Sequence, residues 1–154
     1  MMNVSKRVQY IFVSIGIVLL WFFLSFLLRP VKIVAVHNNN EFSAVLVRHF
    51  PITDKGKIDW WLKNKDRLKN EYKIPNPASD GFFSITFWDF GDGYKEAGKY
   101  DRRCFDDMPT KKNCIEKNKE FIVSNERNGD ISFITNGDEY HMKSNGDIIR
   151  IGID

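Results

Sequence analysis

The feature that leaves this chain the fewest options is an uncharged apolar run from Val8 to Leu28, interrupted in character only by Gln9, Ser14, Gly16 and Ser25. At ~1.5 Å of rise per residue, its roughly 21 residues make about 32 Å of helix, close to the ~30 Å hydrocarbon core of a bilayer. A helix buried in a small soluble core seldom needs that length with every face apolar. The run therefore predicts a membrane-spanning helix over residues 8–28. The competing reading is a cleaved signal peptide. The run exceeds the roughly 7–15 residues of a signal core, however, and no small-residue cleavage site follows it. It ends instead in Leu27, Leu28, Arg29 and Pro30. Trp21 lies well inside the run, so no aromatic belt marks its ends.

What remains has room for one ordinary domain. The predicted organisation is a cytoplasmic tail over residues 1–7, the span over 8–28, and a periplasmic α+β domain over 29–154. The positive charges flanking the span, Lys6 and Arg7 before it and Arg29 and Lys32 after it, nearly balance and do not settle the orientation. Two other features tip it: the short tail, and the pair Cys104 and Cys114, since an even cysteine count in a small extracytoplasmic domain usually means a disulfide. The expected location is thus the bacterial inner membrane, N-terminus inside and domain outside. Lys6, Arg7 and Arg29 account for the formal net charge of +3. The rest is about balanced in charge, with neither an arginine-rich stripe nor zinc-finger spacing, which argues against nucleic acid as a partner.

Along the domain, Val31 to Val36 and Phe42 to Phe50 flank His37 and the tract Asn38-Asn39-Asn40, the pattern of an antiparallel hairpin. Thr53 or Asp54 is placed to cap a helix running to about Tyr72, with Ile58, Trp61, Leu62, Leu68 and Tyr72 on one stripe. Lys65 projects from that stripe and needs a partner or a route to solvent. Trp60 points roughly opposite, and Pro75 and Pro77 end the helical region. Phe82 to Phe90 reads as a central strand, with Phe83, Ile85 and Phe87 on one face and Ser84, Thr86 and Trp88 on the other. Gly91-Asp92-Gly93 turns out of it. The triplet Asn-Gly-Asp then recurs at Asn128, Asn136 and Asn145. Asn-Gly favours type I′ hairpin turns, so the spacing predicts a four-stranded meander: Phe121 to Ser124, Ile131 to Thr135, Glu139 to Lys143 and Ile148 to Ile151. The fold expected is an antiparallel sheet of six or seven strands with one amphipathic helix packed on it.

Chemistry is sparse. A Cys104–Cys114 disulfide would close a polar loop and contribute roughly 2.5–3 kcal/mol in the chain-entropy model. The spacing is too wide for a metal knuckle or a redox motif, and no histidine lies nearby in sequence. Asp89, Asp92, Asp101, Asp106 and Asp107 read as solvated loop residues, so no metal and no cofactor are expected. His37, His49 and His141 are scattered over predicted strands, and no nucleophile elbow accompanies them, so no catalytic residues are assigned and the chain is not read as an enzyme. Asp89-Phe90-Gly91 spells a kinase tripeptide without any other part of a kinase. Aromatic side chains in unusual positions single out Trp60, Trp88 and Tyr94, with Asp92 between the last two, as candidate contact residues for a protein partner.

Several long words in the chain are shared with a known family. Arg29-Pro30-Val31-Lys32-Ile33-Val34-Ala35-Val36-His37, the stretch Phe50 to Ile58, Trp60-Trp61-Leu62, Phe87 to Tyr94, Cys104-Phe105-Asp106-Asp107 and Asn113 to Asn118 carry the likeness. In these the chain resembles the enterobacterial putative membrane protein family catalogued as domain of unknown function 943, over nearly its whole length. The resemblance implies a membrane anchor, an envelope location and a Gram-negative host, and it transfers no catalytic residue. By analogy with other small anchored proteins of such bacteria, the expected partner is a secreted toxin that the domain neutralises. An envelope component served by an accessory or assembly factor is the alternative. A periplasmic hydrolase or ligand sensor ranks below both, the sensor weakened by so short a cytoplasmic tail.

Alkaline carbonate extraction tests the anchor directly. The full-length protein should stay with the membrane pellet and a variant lacking residues 8–28 should not; release of the intact chain would remove the basis for a span.

Overall fold

A computed structural model describes residues 4–126 and 128–152, and the chain divides into two units, Met1–Pro30 and Val31–Asp154. The first is a single helix, α1 (Val4–Leu27). It begins within the stretch expected to be a tail, so Lys6 and Arg7 are helical, while residues 1–3 of that tail lie outside the described residues. From Val8 onward its large apolar side chains are exposed. The helix is long and apolar enough to cross a membrane. With every backbone group bonded within the segment, a helix is also one of the few structures that tolerates a hydrocarbon solvent.

The second unit is α+β. A seven-stranded sheet runs in the order β1 (Lys32–Asn39), β2 (Phe42–Arg48), β3 (Ser84–Asp89), β6 (Lys119–Asn125), β7 (Ile131–Ile134), β8 (Glu139–Met142) and β9 (Ile148–Ile151). The short strands β4 (Arg103–Cys104) and β5 (Cys114–Ile115) form a separate ribbon. The predicted hairpin, central strand and meander are all present. One pairing departs from the antiparallel expectation: β2 and β3 run parallel, from Phe42↔Ser84 to Val47↔Asp89. Parallel neighbours cannot be joined by a tight turn, and the crossover between them is the helix α2 (Asp54–Tyr72).

α2 starts where the sequence places it, with the Thr53 hydroxyl accepting a hydrogen bond from the Gly56 N–H at 3.1 Å. It ends at Lys73, whose left-handed backbone (φ 59°) returns N–H groups to the last turn. Its buried face differs from the predicted stripe. Lys57, Ile58, Trp61 and Leu68 are buried, whereas Lys65 is exposed. At about 100° per residue, centring the face on Trp61 and Leu68 rotates it toward Lys57 and leaves Trp60 at its edge rather than opposite. Lys57 is therefore the lysine that needs a partner. Its ammonium donates to the Glu120 carbonyl at 2.7 Å and to the Glu120 carboxylate at 2.9 Å. Trp60 packs edge-on against Phe50 and Phe87, at 5.3 and 5.7 Å between ring centroids.

Under α2 the sheet contributes Val45, Val47, Ile85, Phe87, Phe121, Val123 and Phe133, all buried. Alternation then sends Ala44 and Leu46 of β2 to the other face, where Phe105 and Ile115 from the ribbon cover them. The triplet turns lie where predicted but not in the predicted geometry. At Lys143–Asp147 the Gly146 N–H donates to the Lys143 carbonyl and the Lys143 N–H to the Asp147 carbonyl, with Gly146 at φ 89°. That is a type I turn closed by a glycine bulge, and Asn145 serves it by accepting from the Asp147 N–H at 3.0 Å rather than by adopting positive φ. Glu126, Asn128, Gly129 and Asp130 repeat the same bonds. The middle turn is held by the Thr135 hydroxyl and Asp138 instead.

Phe87 touches α2, Phe50 and Phe121 together. Phe87→Ala should therefore cost about 3–5 kcal/mol, read by denaturant unfolding of the full-length protein in detergent. A loss below about 1 kcal/mol would mean that Phe87 is not at the centre of the packing.

Candidate functional site

On the sheet face opposite α2, the chain between β3 and β6 does not turn back at once. Residues 90–118 leave the sheet, form the β4–β5 ribbon and return. Gly91 and Gly93, at φ 46° and 92°, let the chain turn sharply out of β3. The ribbon is closed by the Cys104–Cys114 disulfide, the pairing the two cysteines predict. At its base, Glu116 accepts hydrogen bonds from Lys95 at 3.1 Å and Arg102 at 3.0 Å. Those bonds, Lys95 first and Arg102 next, hold its carboxyl below the ordinary glutamate range. Lys117 and Asp101 add a further ion pair.

Between ribbon and sheet lies an open cleft of about 630 Å³. Ser84, Thr86 and Trp88 of β3 lie along the sheet side, Phe42 and the end of β1 (His37 to Asn39) form the rim, and Arg103, Phe105, Asp106 and Asp107 form the ribbon side. Arg103 lies over the Phe105 ring at 5.5 Å and makes no ion pair among the described residues.

The ribbon side is braced to the sheet through His37. Its side chain is only 10 % exposed; Nδ1 lies 2.8 and 2.9 Å from the two Asp107 carboxylate oxygens, and Nε2 lies 2.8 Å from the Tyr94 hydroxyl. The ring stacks on Phe105 at 3.9 Å and 11°. Burial pushes the Tyr94 phenol above the ordinary tyrosine value, and the Asp107 carboxylate raises it further. The imidazole thus bridges the two groups, with Nδ1 hydrogen-bonded to the Asp107 carboxylate and Nε2 to the Tyr94 hydroxyl. An Asp–His pair aimed at a hydroxyl has the outline of a catalytic relay. Here the hydroxyl is a phenol whose ionisation is made harder, so no nucleophile is activated. The three side chains tie the ribbon to the end of β1.

The four predicted contact residues do not form one group. Trp88 and Tyr94 join the same packing cluster on the ribbon face, Trp88 lining the cleft and Tyr94 supporting His37 from behind. Asp92 is exposed in the intervening turn and pairs with Lys95 at 3.3 Å. Trp60 belongs to α2 and packs against Phe50 and Phe87 on the other face of the sheet, away from the cleft. Sequence reasoning missed His37, Arg103 and Asp107. A signal was present in the Asp106-Asp107 pair inside the cysteine loop, but 70 residues separate His37 from its partner and no local period links them. None of Asp89, Asp92, Asp101, Asp106 and Asp107 belongs to a grouping of three potential metal ligands among the described residues. Among the described residues, the grouping of potential metal ligands is Glu126, Glu139 and His141.

The model of one family, described as enterobacterial putative membrane protein (domain of unknown function 943), matches residues 2–152, and the chain belongs to that family. No curated protein and no solved structure matches it.

The brace carries its own pH signature. A phenol whose folded pKa is raised above the unfolded value of about 10 adds stability that is complete below that pH and is lost as pH rises through the folded pKa. Tyr94→Phe should cost about 0.5–1.5 kcal/mol at neutral pH, and the gap to wild type should narrow above about pH 10. Parallel stability curves at pH 8 and pH 10.5 would show that the phenol is not so held.

Proposed function

We propose that this member of an enterobacterial membrane-protein family is a tethered protein-binding module, anchored through residues 8–28 with residues 1–7 in the cytoplasm and residues 29–154 in the periplasm. The observation that carries this reading is the cleft: an aromatic side chain, Trp88, set among hydroxyls on the sheet and faced by a disulfide-closed wall that carries Arg103, which makes no ion pair among the described residues. Aromatic residues and arginine supply most binding energy at protein interfaces, and Trp88 and Arg103 occupy that role here. Trp60 has another use, as packing for Phe50 and Phe87, which leaves Trp88 the better contact. Asp92 and Tyr94 serve the turn and the brace behind it.

The disulfide supports an oxidising compartment, and so the periplasmic orientation. A bilayer tether raises the local concentration of the domain at the membrane, so that moderate affinity suffices against a partner arriving there. A toxin that must reach or cross the inner membrane is such a partner, and immunity against it is the specific function inferred.

Crosslinking in intact cells, followed by purification of the full-length protein in detergent, tests this. One polypeptide should accompany the protein in stoichiometric amount, and co-expression should protect cells if that polypeptide is toxic. Trp88→Ala should weaken capture by tenfold or more, in keeping with the ≥ 2 kcal/mol of an interface hot spot. A non-toxic envelope component in its place would redirect the reading to assembly. A protein recovered alone under several crosslinkers would end it.

A further inference from the structure

The meander half of the sheet has α2 on one face and no ribbon on the other. On that uncovered face, β8 presents Glu139 and His141, two residues apart and therefore side by side. The register pairs His141 with Ser132 and Glu139 with Ile134, so β7 sets Ser132 next to them. Ser132 in turn pairs with Ser124 of β6, and Glu126 follows at the end of that strand. One ligand atom from each of Glu126, Glu139 and His141 lies within 4.8 Å of the others.

We propose that Glu126, Glu139 and His141 bind a divalent transition-metal cation, with Zn²⁺ the best fit. An imidazole nitrogen and two carboxylates are a Zn²⁺ ligand set, whereas Ca²⁺ and Mg²⁺ favour oxygen alone. Bonds of ~2.0–2.1 Å in a tetrahedron separate neighbouring ligand atoms by about 3.3 Å. His141 Nε2 and Glu139 Oε1 are already 2.8 Å apart, so the cation enters where one proton is shared and moves them by only a few tenths of an ångström. Glu126 closes the triangle by side-chain rotation, its backbone being held by bonds to Gly129 and Asp130. Its carboxylate has no hydrogen-bond partner among the described residues, so turning toward the cation breaks no such bond there. The Ser132 hydroxyl, fully buried, donates to Glu139 Oε1 at 3.0 Å and orients that carboxylate from beneath, the support that metal ligands commonly receive. Three protein ligands leave the fourth position to water or to a group from a bound partner.

Tag-free full-length protein in detergent, stripped of metal, would be titrated calorimetrically with ZnCl₂ and separately with CaCl₂. One Zn²⁺ per chain should bind with micromolar affinity, Ca²⁺ at least a hundredfold more weakly. His141→Ala and the isosteric Glu126→Gln should each weaken Zn²⁺ binding tenfold or more. His49→Asn, a change at an exposed histidine away from the group and in a left-handed conformation that Asn tolerates, should leave it unchanged. Circular dichroism would confirm that the variants fold, and Glu126→Gln, which breaks no side-chain hydrogen bond among the described residues, serves if His141→Ala does not. Absence of saturable Zn²⁺ binding, or binding that survives Glu126→Gln unweakened, would overturn the site.

Discussion

The domain is organised by a strand buried on both faces. From Ser43 to Val47 every residue of β2 is buried, Val45 and Val47 against α2 and Ala44 and Leu46 against the disulfide ribbon. Such a strand must be covered twice, so the sheet has three layers around β2 and two elsewhere. The parallel pairing with β3 follows from the same fact, because the covering helix is itself the connection between the two strands. The second cover cannot come from α2, and residues 90–118 provide it. Phe105 and Ile115 are the apolar contacts, while His37, Tyr94 and Asp107 supply the directional ones.

The two covers differ in how they are held. α2 is fixed mostly by packing of Ile58, Trp61 and Leu68, with Lys57–Glu120 as a buried polar tie. The ribbon buries far less and relies on a covalent bond, a hydrogen-bonded imidazole and ion pairs around Glu116. This is the expected economy of a small layer: where apolar area is scarce, cross-links and oriented polar contacts take over. It also explains why the cleft lies on this side. A thin cover tied at a few points leaves a gap at its edge, bordered by polar groups.

How much of this could be read from the chain alone divides along the range of the interaction. The N-terminal apolar helix, both hairpin strands, α2 with its Thr53 cap, the strand around Phe87 and the four meander strands announce themselves through local periods and turn residues. So does the disulfide, since two cysteines admit one pairing. The direction of β3 relative to β2 was not legible, because alternation says which face a side chain takes and nothing about the neighbour's sense. The tilt of α2 about its axis failed for a related reason: Lys57 looks like a surface residue until Glu120 is known to lie under it. Likewise, three Asn-Gly-Asp triplets announce turns, yet Thr135 and the length of each loop decide the geometry. The cleft was half visible, through Trp88 and Tyr94. Its clamp, His37 with Asp107, joins positions with no shared local pattern.

One consequence concerns how such a protein changes over evolutionary time. β3 and β6 are antiparallel neighbours that a tight turn could join, so residues 90–118 amount to an insertion into a hairpin. The strand order of the sheet is indifferent to what that insertion contains. Loop-closure entropy grows only slowly with length, so it can lengthen, shorten or be rewritten at modest cost to the framework. The disulfide further insulates it, keeping the tip a self-contained unit whatever sequence lies between the cysteines. The architecture thus separates a part that must persist from a part free to diversify, and it puts the diversifiable part on one wall of the cleft. A lineage could exchange that wall while inheriting the same sheet and the same helix.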